Sequence, residues 1–306
     1  MHKISFVVPT KDRPEDLAKL LASIAAQTRK PDQIIVVDGS DPVVRYVVDR
    51  FSSALPIDYV RVFPPSLAQQ RNAGMAVLHA DTTLGGYIDD DIVLEPEAVE
   101  RMLEFWESAA ANVGGAAFNI TNNPCPRLQS VKRLFGIDHP TPGIVMRSGN
   151  ASSISYQEKS IETDWLYGGA TVWRREVIER FPYDEWYLGT GYLEDIDFSY
   201  NVREYYRLML VGDAKLAHYS HPIRPDRQFL LGRWQVTNRM YFVRKYKHRG
   251  LSLFHAWFAS LGMLILYGSR AALFRDKSNW ARACGLLNGM YDELRGRRIR
   301  IGGFVK

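Results

Sequence analysis

The first ninety residues alternate between short apolar runs and amphipathic segments. Residues 4–8 are apolar and β-branched and stop at Pro9, and the stretch from Pro14 onward spaces its large apolar residues three or four apart. Continuous apolar runs of this length predict buried strands, whereas the wider spacing predicts a helix. Three further apolar runs end at turn-forming or acidic residues: 33–37, 58–63 and the run that ends at Ile88.

Strands that alternate with helices predict an α/β fold in which a mostly parallel sheet is flanked by helices. In such a sheet, ligands bind beyond the carboxyl ends of the strands, near the point where the strand order reverses. The loops that follow residues 8, 37 and 88 therefore form the predicted binding edge.

The second half of the chain has a less regular pattern. Residues 122–160 are polar, rich in Pro, Gly and Ser, and without a clear period. Helices are predicted at residues 97–107, at 171–180 as a helix or a strand–helix pair, from about Glu194 onward, and at 228–247. Residues 251–269 contain no Asp, Glu, Lys or Arg.

The composition is that of a globular protein. The chain has 306 residues, of which 46% are hydrophobic, and its two cysteines, Cys125 and Cys284, are far apart. This spacing supports neither a disulfide framework nor a cysteine-based zinc site, and it favours a reducing cytoplasm. The apolar run after the N-terminus is too short for the centre of a signal peptide, so we expect a cytoplasmic protein.

The charge changes sharply along the chain. Residues 224–306 hold 17 Lys and Arg against 4 Asp and Glu, whereas residues 1–223 hold 22 against 30. The asymmetry predicts a boundary near residue 223, with a front part at 1–223 that handles a cation or a cationic ligand. It also predicts a helical, membrane-associating extension at 224–306 that contacts a polyanion.

An acidic triplet, Asp89, Asp90 and Asp91, follows the fourth apolar run directly. Adjacent carboxylates repel one another unless a cation lies between them. Oxygen ligands suit Mg²⁺ or Mn²⁺, which bridge carboxylates to substrate phosphates. The alternative is a solvated acidic turn, but the position after a buried strand favours a metal site.

A second acidic cluster contains Glu194 and Asp195, either of which could be a general base at a helix start. Acidic residues at a helix N-terminus are also favourable for the helix itself, so capping alone would explain them. His218 lies 23 residues beyond Asp195. A single histidine is more often a packed or surface residue, although neutral imidazole can bind manganese.

Taken in order, several segments resemble glycosyltransferase family 2, which comprises inverting enzymes with the GT-A fold. The similarity spans about residues 4–221. It implies a GT-A catalytic domain at 1–223, with a nucleotide-sugar part at about 1–120 and an acceptor part at about 121–223. It rests on the following segments: Val7–Thr10 with Asp12–Pro14, Ile35–Ser40, Leu67–Gly74, Asp89–Asp91 at the position of the family's DXD motif, Gly168–Arg175, and Glu194–Asp195. Many members have two acidic residues where this chain has Val37 and Asp38, which weakens the match at that point.

The resemblance implies a role for each of these segments. Asp91 and His218 would hold the metal, Asp195 would be the general base, and Glu194 would position the base or the acceptor. The implied nucleotide-binding residues are Pro9, Thr10, Arg13, Asp38, Arg71, Asp89 and Asp90. The implied donor is a nucleoside-diphosphate sugar, UDP- or dTDP-linked, with a hexosyl or deoxyhexosyl group.

Two other functions remain open at this stage. A sugar-phosphate nucleotidyltransferase would also combine an α/β domain with acidic metal ligands, but it would consume a nucleoside triphosphate. A non-catalytic membrane adaptor would retain the fold alone, although the intact Asp91 and Asp195 argue against it.

The uncharged stretch at 251–269 has the length of a membrane span, yet its apolar residues recur at helical spacing between small and polar ones. This pattern favours a helix that lies at a membrane surface, with a packed helix and a true span as alternatives. The flanking basic residues would attract anionic lipid. We expect a peripheral protein at the cytoplasmic face of a membrane, with a glycan or lipid-linked acceptor and no nucleic-acid partner.

Overall fold

The computed structural model describes residues 2–123, 129–189 and 191–297. The strands are β1 (Ile4–Thr10), β2 (Gln33–Asp38), β3 (Ile57–Arg61), β4 (Leu84–Ile88), β5 (Ile92–Leu94), β6 (Val113–Ile120), β7 (Ile161–Thr163), β8 (Ala170–Arg174) and β9 (Arg207–His218). The α-helices are α1 (Pro14–Ala25), α2 (Arg45–Asp49), α3 (Leu67–Met75), α4 (Ala98–Ser108), α5 (Gln129–Leu134), α6 (Arg175–Arg180), α7 (Glu194–Val202), α8 (Gln228–Lys245), α9 (Leu253–Phe274) and α10 (Lys277–Leu294).

Within the described residues the strands form one mixed sheet in the order β3-β2-β1-β4-β8-β6-β9-β5, with β7 paired to β9. β1 pairs in parallel with β2 and β4, and β2 pairs in parallel with β3. β8 runs antiparallel to both β4 and β6. The strand order reverses beside β1, because β2 and β4 lie on its two sides.

The core follows from the apolar pattern at the start of the chain. Every residue of β1 and β2 is buried, and α1 adds its spaced apolar face to the same cluster. Helix α1 begins at Pro14, whose fixed backbone angle suits a first helical position. The predicted α/β fold with a mostly parallel sheet flanked by helices is confirmed.

The strands β6 and β9 were missed by the sequence patterns. β6 is rich in glycine and alanine, which have low strand propensity. The small residues are needed because a Cβ on Gly115 would lie 2.3 Å from the ring of Trp173 on β8. A buried tryptophan on the neighbouring strand thus replaces the bulky side chains that usually identify a strand.

The chain divides into two compact units. Among the described residues, one unit comprises 2–123 and 155–220, and the other comprises 129–154 and 221–297. The break after residue 220 lies near the expected boundary at residue 223. Residues 129–154, which the sequence assigned to the acceptor part, group with the C-terminal helices.

In the second unit, α8 and α10 approach each other through glycines. A Cβ on Gly232 would lie 2.2 Å from the carbonyl oxygen of Arg282, and one on Gly285 would lie 2.0 Å from that of Phe229. α9 begins at its N-cap Ser252 and is long and apolar enough to cross a bilayer by length and composition. Only 28% of its most apolar window is buried.

Candidate active site

The carboxyl ends of β1, β2 and β4 meet at one edge of the sheet. The side-chain amide of Gln70 on α3 donates to the carbonyl oxygens of Thr10 (3.0 Å) and Val37 (2.8 Å), so it joins the ends of β1 and β2. The hydroxyl of Thr10 donates to Asp90 at 2.8 Å, which joins β1 to the turn after β4. The three loops predicted from the sequence therefore form one site.

Asp38 is fully buried at the end of β2. Its carboxylate accepts hydrogen bonds from the backbone of Ser40 (2.7 Å) and Val44 (2.9 Å) and from the hydroxyl of Tyr59 (2.6 Å). Burial alone would raise its pKa, but these donors lower the pKa of Asp38 below its usual value. The observed role of Asp38 is to hold the loop after β2, and its predicted contact with a nucleoside stays a prediction.

Asp90 points into the protein. Its carboxylate accepts from Thr10 and from the guanidinium of Arg13 (3.0 Å) and is 4% exposed. Burial raises the pKa of Asp90 to about 7, although Arg13 and Thr10 act in the opposite direction. Asp90 thus fastens the acidic turn to β1 and to the loop that precedes α1.

Asp91 lies beside His218 at the end of β9. Their contact is 2.9 Å between the imidazole Nε2 and Oδ1, and Arg13 approaches the other oxygen at 3.1 Å. Burial would raise the pKa of Asp91, but His218 and Arg13 hold it below its usual value. The pairing of Ile92 with His218 in the β5–β9 ladder brings the two side chains together.

Asp89 completes a cluster with Asp91 and His218. The ligand atoms that the three residues offer lie within 4.8 Å of one another. Two carboxylates and one imidazole suit Mg²⁺ or Mn²⁺, so these residues fit a divalent cation. The sequence selected Asp91 and His218 as metal ligands, and the structure adds Asp89, which the resemblance had assigned to the nucleotide.

Asp89 owes its position to the segment before β8. Its backbone N–H donates to the carbonyl of Gly169 at 2.9 Å, and a Cβ on Gly169 would lie 1.9 Å from the Asp89 carboxyl carbon. A residue with any side chain at position 169 would therefore displace this carboxylate. The glycine pair Gly168–Gly169 matters because it leaves room for Asp89 and for Arg71.

Arg71 connects the metal cluster to the second acidic cluster. Its guanidinium donates to Glu194 at 3.0 Å and to Asp89 at 3.2 Å, and its side chain is 1% exposed. It also lies over the ring of Tyr183, 5.0 Å from the centroid. Burial would lower the pKa of Arg71, but Tyr183 and the surrounding carboxylates raise it, so the guanidinium remains charged.

Glu194 and Asp195 begin α7 after an unusual backbone step. Leu193 adopts a left-handed conformation with φ of 76°, which costs a non-glycine residue about 1–3 kcal/mol. The first helical turn then places Glu194 against Arg71, where it is buried, while Asp195 is only partly buried. The strain is thus located at the two candidate bases.

The two carboxyl groups differ in burial and in their partners. Burial and then the neighbouring Asp195 raise the pKa of Glu194 to about 8, despite the opposing charge of Arg71. Burial also raises the pKa of Asp195, whose Oδ1 accepts from the backbone of Ile196 at 2.8 Å. A raised pKa suits a group that must take up a proton near neutral pH.

Helix α3 holds the segment that leads to α7, a role that sequence reasoning missed. The side-chain amide of Asn72 pairs with the backbone of Tyr183 in both directions, at 3.0 and 2.9 Å. The backbone N–H of Leu67 donates to the carbonyl of Gly189 at 2.9 Å. The only sequence signal for this role was the Leu67–Gly74 motif itself, which had been associated with nucleotide binding.

All the site residues predicted from the sequence belong to this edge. Pro9 is buried in β1, and the structure brings Thr10, Arg13, Asp90 and Asp91 into one network. Arg71, Asp89 and Glu194 form a second network that reaches the same triplet. The functional roles of these residues are not tested by their positions, and they stay predictions.

The chain is similar to several known proteins. The family model described as "Glycosyl transferase family 2" matches residues 5–180. The validoxylamine A glucosyltransferase of Streptomyces hygroscopicus subsp. limoneus is 27% identical over 234 residues, which cover 65% of this chain and 47% of that protein. An uncharacterized glycosyltransferase of Haemophilus influenzae is 33% identical over 103 residues, which cover 32% of this chain and 37% of that protein. The chain thus spans half or less of the length of these relatives.

The solved structure of S. aureus TarS 1-349 has a TM-score of 0.51 and 14% identity, with 96% of this chain and 92% of that chain covered. A second structure, TarS 1-349 in complex with UDP, has a TM-score of 0.50 and 16% identity over the same shares. At such identities the likeness concerns the fold alone.

The mixed sheet with its acidic edge and these superpositions define an α/β protein of the GT-A class. Because the family model matches more than half of the chain, the protein belongs to glycosyltransferase family 2.

Proposed function

We propose that this protein is a metal-dependent, inverting glycosyltransferase. It would transfer a hexosyl or deoxyhexosyl group from a nucleoside-diphosphate sugar to a hydroxyl of a glycan or lipid-linked acceptor. The observation that carries the proposal is the junction at Arg71, which holds Asp89 of the candidate metal cluster and Glu194 of the candidate base pair in one buried network. Donor binding and proton removal would thus take place at one edge of the sheet.

The donor would bind between the ends of β1, β2 and β4. Asp91, His218 and Asp89 would hold a divalent cation, which when bound neutralises charge on the diphosphate of the leaving group. Arg13 would keep Asp91 oriented, and the loops at Pro9–Thr10 and after Asp38 would contact the nucleoside. A uridine nucleotide is the first to test, because one structure of the same fold is a complex with UDP.

Asp195 is the proposed general base. It is partly buried, whereas Glu194 is fully buried and engaged by Arg71. The Asp195 carboxylate would accept the proton of the acceptor hydroxyl as the oxygen attacks the anomeric carbon and the nucleoside diphosphate leaves. Glu194 would position Asp195 or the acceptor. A single displacement of this kind inverts the anomeric configuration.

The C-terminal segment, residues 224–306, would dock the enzyme on the cytoplasmic face of a membrane. Its excess of basic residues and the exposed apolar side chains of α9 support this location. A membrane-bound position would suit an acceptor that is lipid-linked or membrane-associated.

The test is a panel of UDP- and dTDP-sugars measured for binding with Mn²⁺, with Mg²⁺ and with a chelator. Metal-dependent binding of at least one sugar nucleotide is expected, followed by transfer with inversion detected by NMR of the product. Consumption of a nucleoside triphosphate with a sugar phosphate would favour a nucleotidyltransferase instead. Absence of binding to the whole panel would favour a non-catalytic adaptor.

A further inference from the structure

A pocket of about 280 Å³ opens within the C-terminal unit, between the segment that follows α5 and the first turns of α9. Its apolar walls include Phe135, Met146 and Phe258, and its polar groups include Arg133, Arg147 and His255. None of the described residues that line it is acidic. The pocket thus combines an apolar interior with three basic side chains.

Several contacts fix the pocket walls. The ring of Phe135 packs against α9 at Gly262, where a Cβ would lie 2.3 Å from the Phe135 ring, and it stacks at a tilt 5.3 Å from the ring of Phe258. The hydroxyl of Ser148 donates to the carbonyl of Gly136 at 2.6 Å. These contacts hold the pocket walls in place.

The basic side chains favour an anion. Arg133 and Arg147 are both exposed, and the guanidinium group matches the geometry of a phosphate better than an ammonium does. Within the part of the chain that the structure describes, the buried Nδ1 of His255 has no hydrogen-bond partner. Buried polar atoms are nearly always paired, so this nitrogen is suited to an oxygen of a bound group.

An apolar stripe leads away from the pocket along α9. Phe254, Phe258, Leu261 and Ile265 recur every three or four residues and are 41–75% exposed. Leu134, beside the pocket, is 71% exposed. A ligand with an anionic head and an apolar tail matches both features, whereas a free anion would use the pocket alone.

We propose that this pocket binds the phosphate headgroup of an anionic phospholipid while the α9 stripe lies among its acyl chains. The proposal rests on the membrane docking suggested above and goes beyond it, because it assigns headgroup recognition to Arg133, Arg147 and His255. Most of these groups lie outside the basic segment at 224–306.

The test is sedimentation of the full chain with phosphatidylglycerol vesicles and with phosphatidylcholine vesicles. The Arg133→Glu, Arg147→Glu variant should bind the anionic vesicles at least about tenfold more weakly, since each basic group near a lipid surface contributes a several-fold gain. The matched control is Lys30→Glu, Arg50→Glu, which makes the same charge change at exposed positions of the sheet unit. A third variant, His255→Phe, should weaken anionic binding with no change in total Lys and Arg charge.

Equal binding by the pocket variant and the control would overturn the proposal, because general electrostatics would then explain the attraction. Inorganic phosphate should compete only at much higher concentration than a soluble short-chain phosphatidylglycerol. Equal competition by the two would assign the pocket to a free anion and also overturn the proposal. Donor binding is measured on the same variants and should be unchanged, so failure here is distinguishable from failure of the proposed enzyme activity.

Discussion

Three consecutive aspartates share one turn but have three different environments. Asp89 is partly exposed and pairs with Arg71, Asp90 is buried against Thr10 and Arg13, and Asp91 contacts His218. Only two of the three carboxylates are directed toward the candidate metal cluster.

At the residue scale, Asp91→Ala should weaken metal-dependent binding of the donor by at least about 10–100-fold, because even partners of metal ligands have effects of that size. Calorimetry with Mn²⁺ and the sugar nucleotide is the measurement. Asp213→Ala is the matched control, since Asp213 is an exposed aspartate on the same strand as His218. Unchanged donor affinity in Asp91→Ala would remove this residue from the metal site.

Asp195→Asn should preserve donor binding and lower kcat by about 10²–10⁴-fold, because the amide keeps the shape but cannot accept the proton. Steady-state kinetics of this variant and of Glu194→Gln decide which of the two carboxyl groups is the general base. If only Glu194→Gln abolishes transfer, the base is Glu194.

The pH dependence provides a separate test of the acidic pair. A base acts as its carboxylate, and burial raises the pKa of Glu194 to about 8 and also raises that of Asp195. The wild-type rate should therefore fall as the pH is lowered, with an apparent pKa closer to 8 than to the ordinary carboxyl value near 4. A rate that stays constant down to pH 5 would contradict the pair as the base.

At the element scale, the close packing of α3 against the sheet depends on a glycine. A Cβ on Gly74 would lie 2.3 Å from Cγ1 of Val7 on β1, so only glycine lets the helix lie this close to the sheet. Gln70, Arg71 and Asn72 on the same helix hold the ends of β1 and β2, the two acidic clusters and the segment before α7. A small displacement of α3 would disturb all of these contacts together.

Gly74→Ala should lower the free energy of unfolding by about 1–3 kcal/mol and weaken donor binding, because the added methyl group overpacks the contact with β1. Chemical denaturation and calorimetry measure the two effects. The double variant Gly74→Ala, Val7→Ala should recover part of the loss. Gly268→Ala is the control, since nothing lies near its Cβ position in α9 and it should stabilise by up to about 1 kcal/mol.

The elements that the sequence predicted are those with a clear apolar pattern. β1 and β2 are continuous apolar runs, and the acidic triplet follows a buried strand, so the site edge could be located in advance. β9 was missed because Asp213 and Lys215 interrupt its pattern, and its pairing with β6 is irregular. The Arg71 junction could not be predicted, because its partner Glu194 is 123 residues away.

At the scale of the whole molecule, the charge is divided between the sheet and the C-terminal helices. In the proposed membrane docking, the basic segment would attract anionic lipid and the exposed stripe of α9 would insert into the bilayer. Phe258 is 41% exposed, whereas Trp257 is half-buried, so the phenylalanine has the larger accessible surface for lipid.

The full chain should sediment with anionic vesicles and bind neutral vesicles poorly. Its binding to anionic vesicles should decrease but stay measurable as the salt concentration rises, because salt screens only the electrostatic part of the attraction. The double variant Trp257→Ser, Phe258→Ser should lower vesicle binding, and the decrease should be largest at high salt. Tyr46→Ser, Phe63→Ser is the matched control, since both residues are exposed aromatic side chains of the sheet unit. A full chain that stays in the supernatant with anionic vesicles would make α9 an ordinary packed helix.

The Arg71 junction also determines how much of the chain can fold on its own. The stretch that matches the family model ends at residue 180, before Tyr183 and Glu194 are reached. A fragment cut at that point would retain β1–β4, but its buried guanidinium would lack Glu194, one of the two carboxyl groups that accept its hydrogen bonds. Leaving a buried charged group short of a hydrogen-bond partner costs about 1–3 kcal/mol or more, a large part of the stability of a domain. The segment that matches the family model should therefore be shorter than the cooperative folding unit, and truncation libraries should recover soluble protein only when they extend past α7.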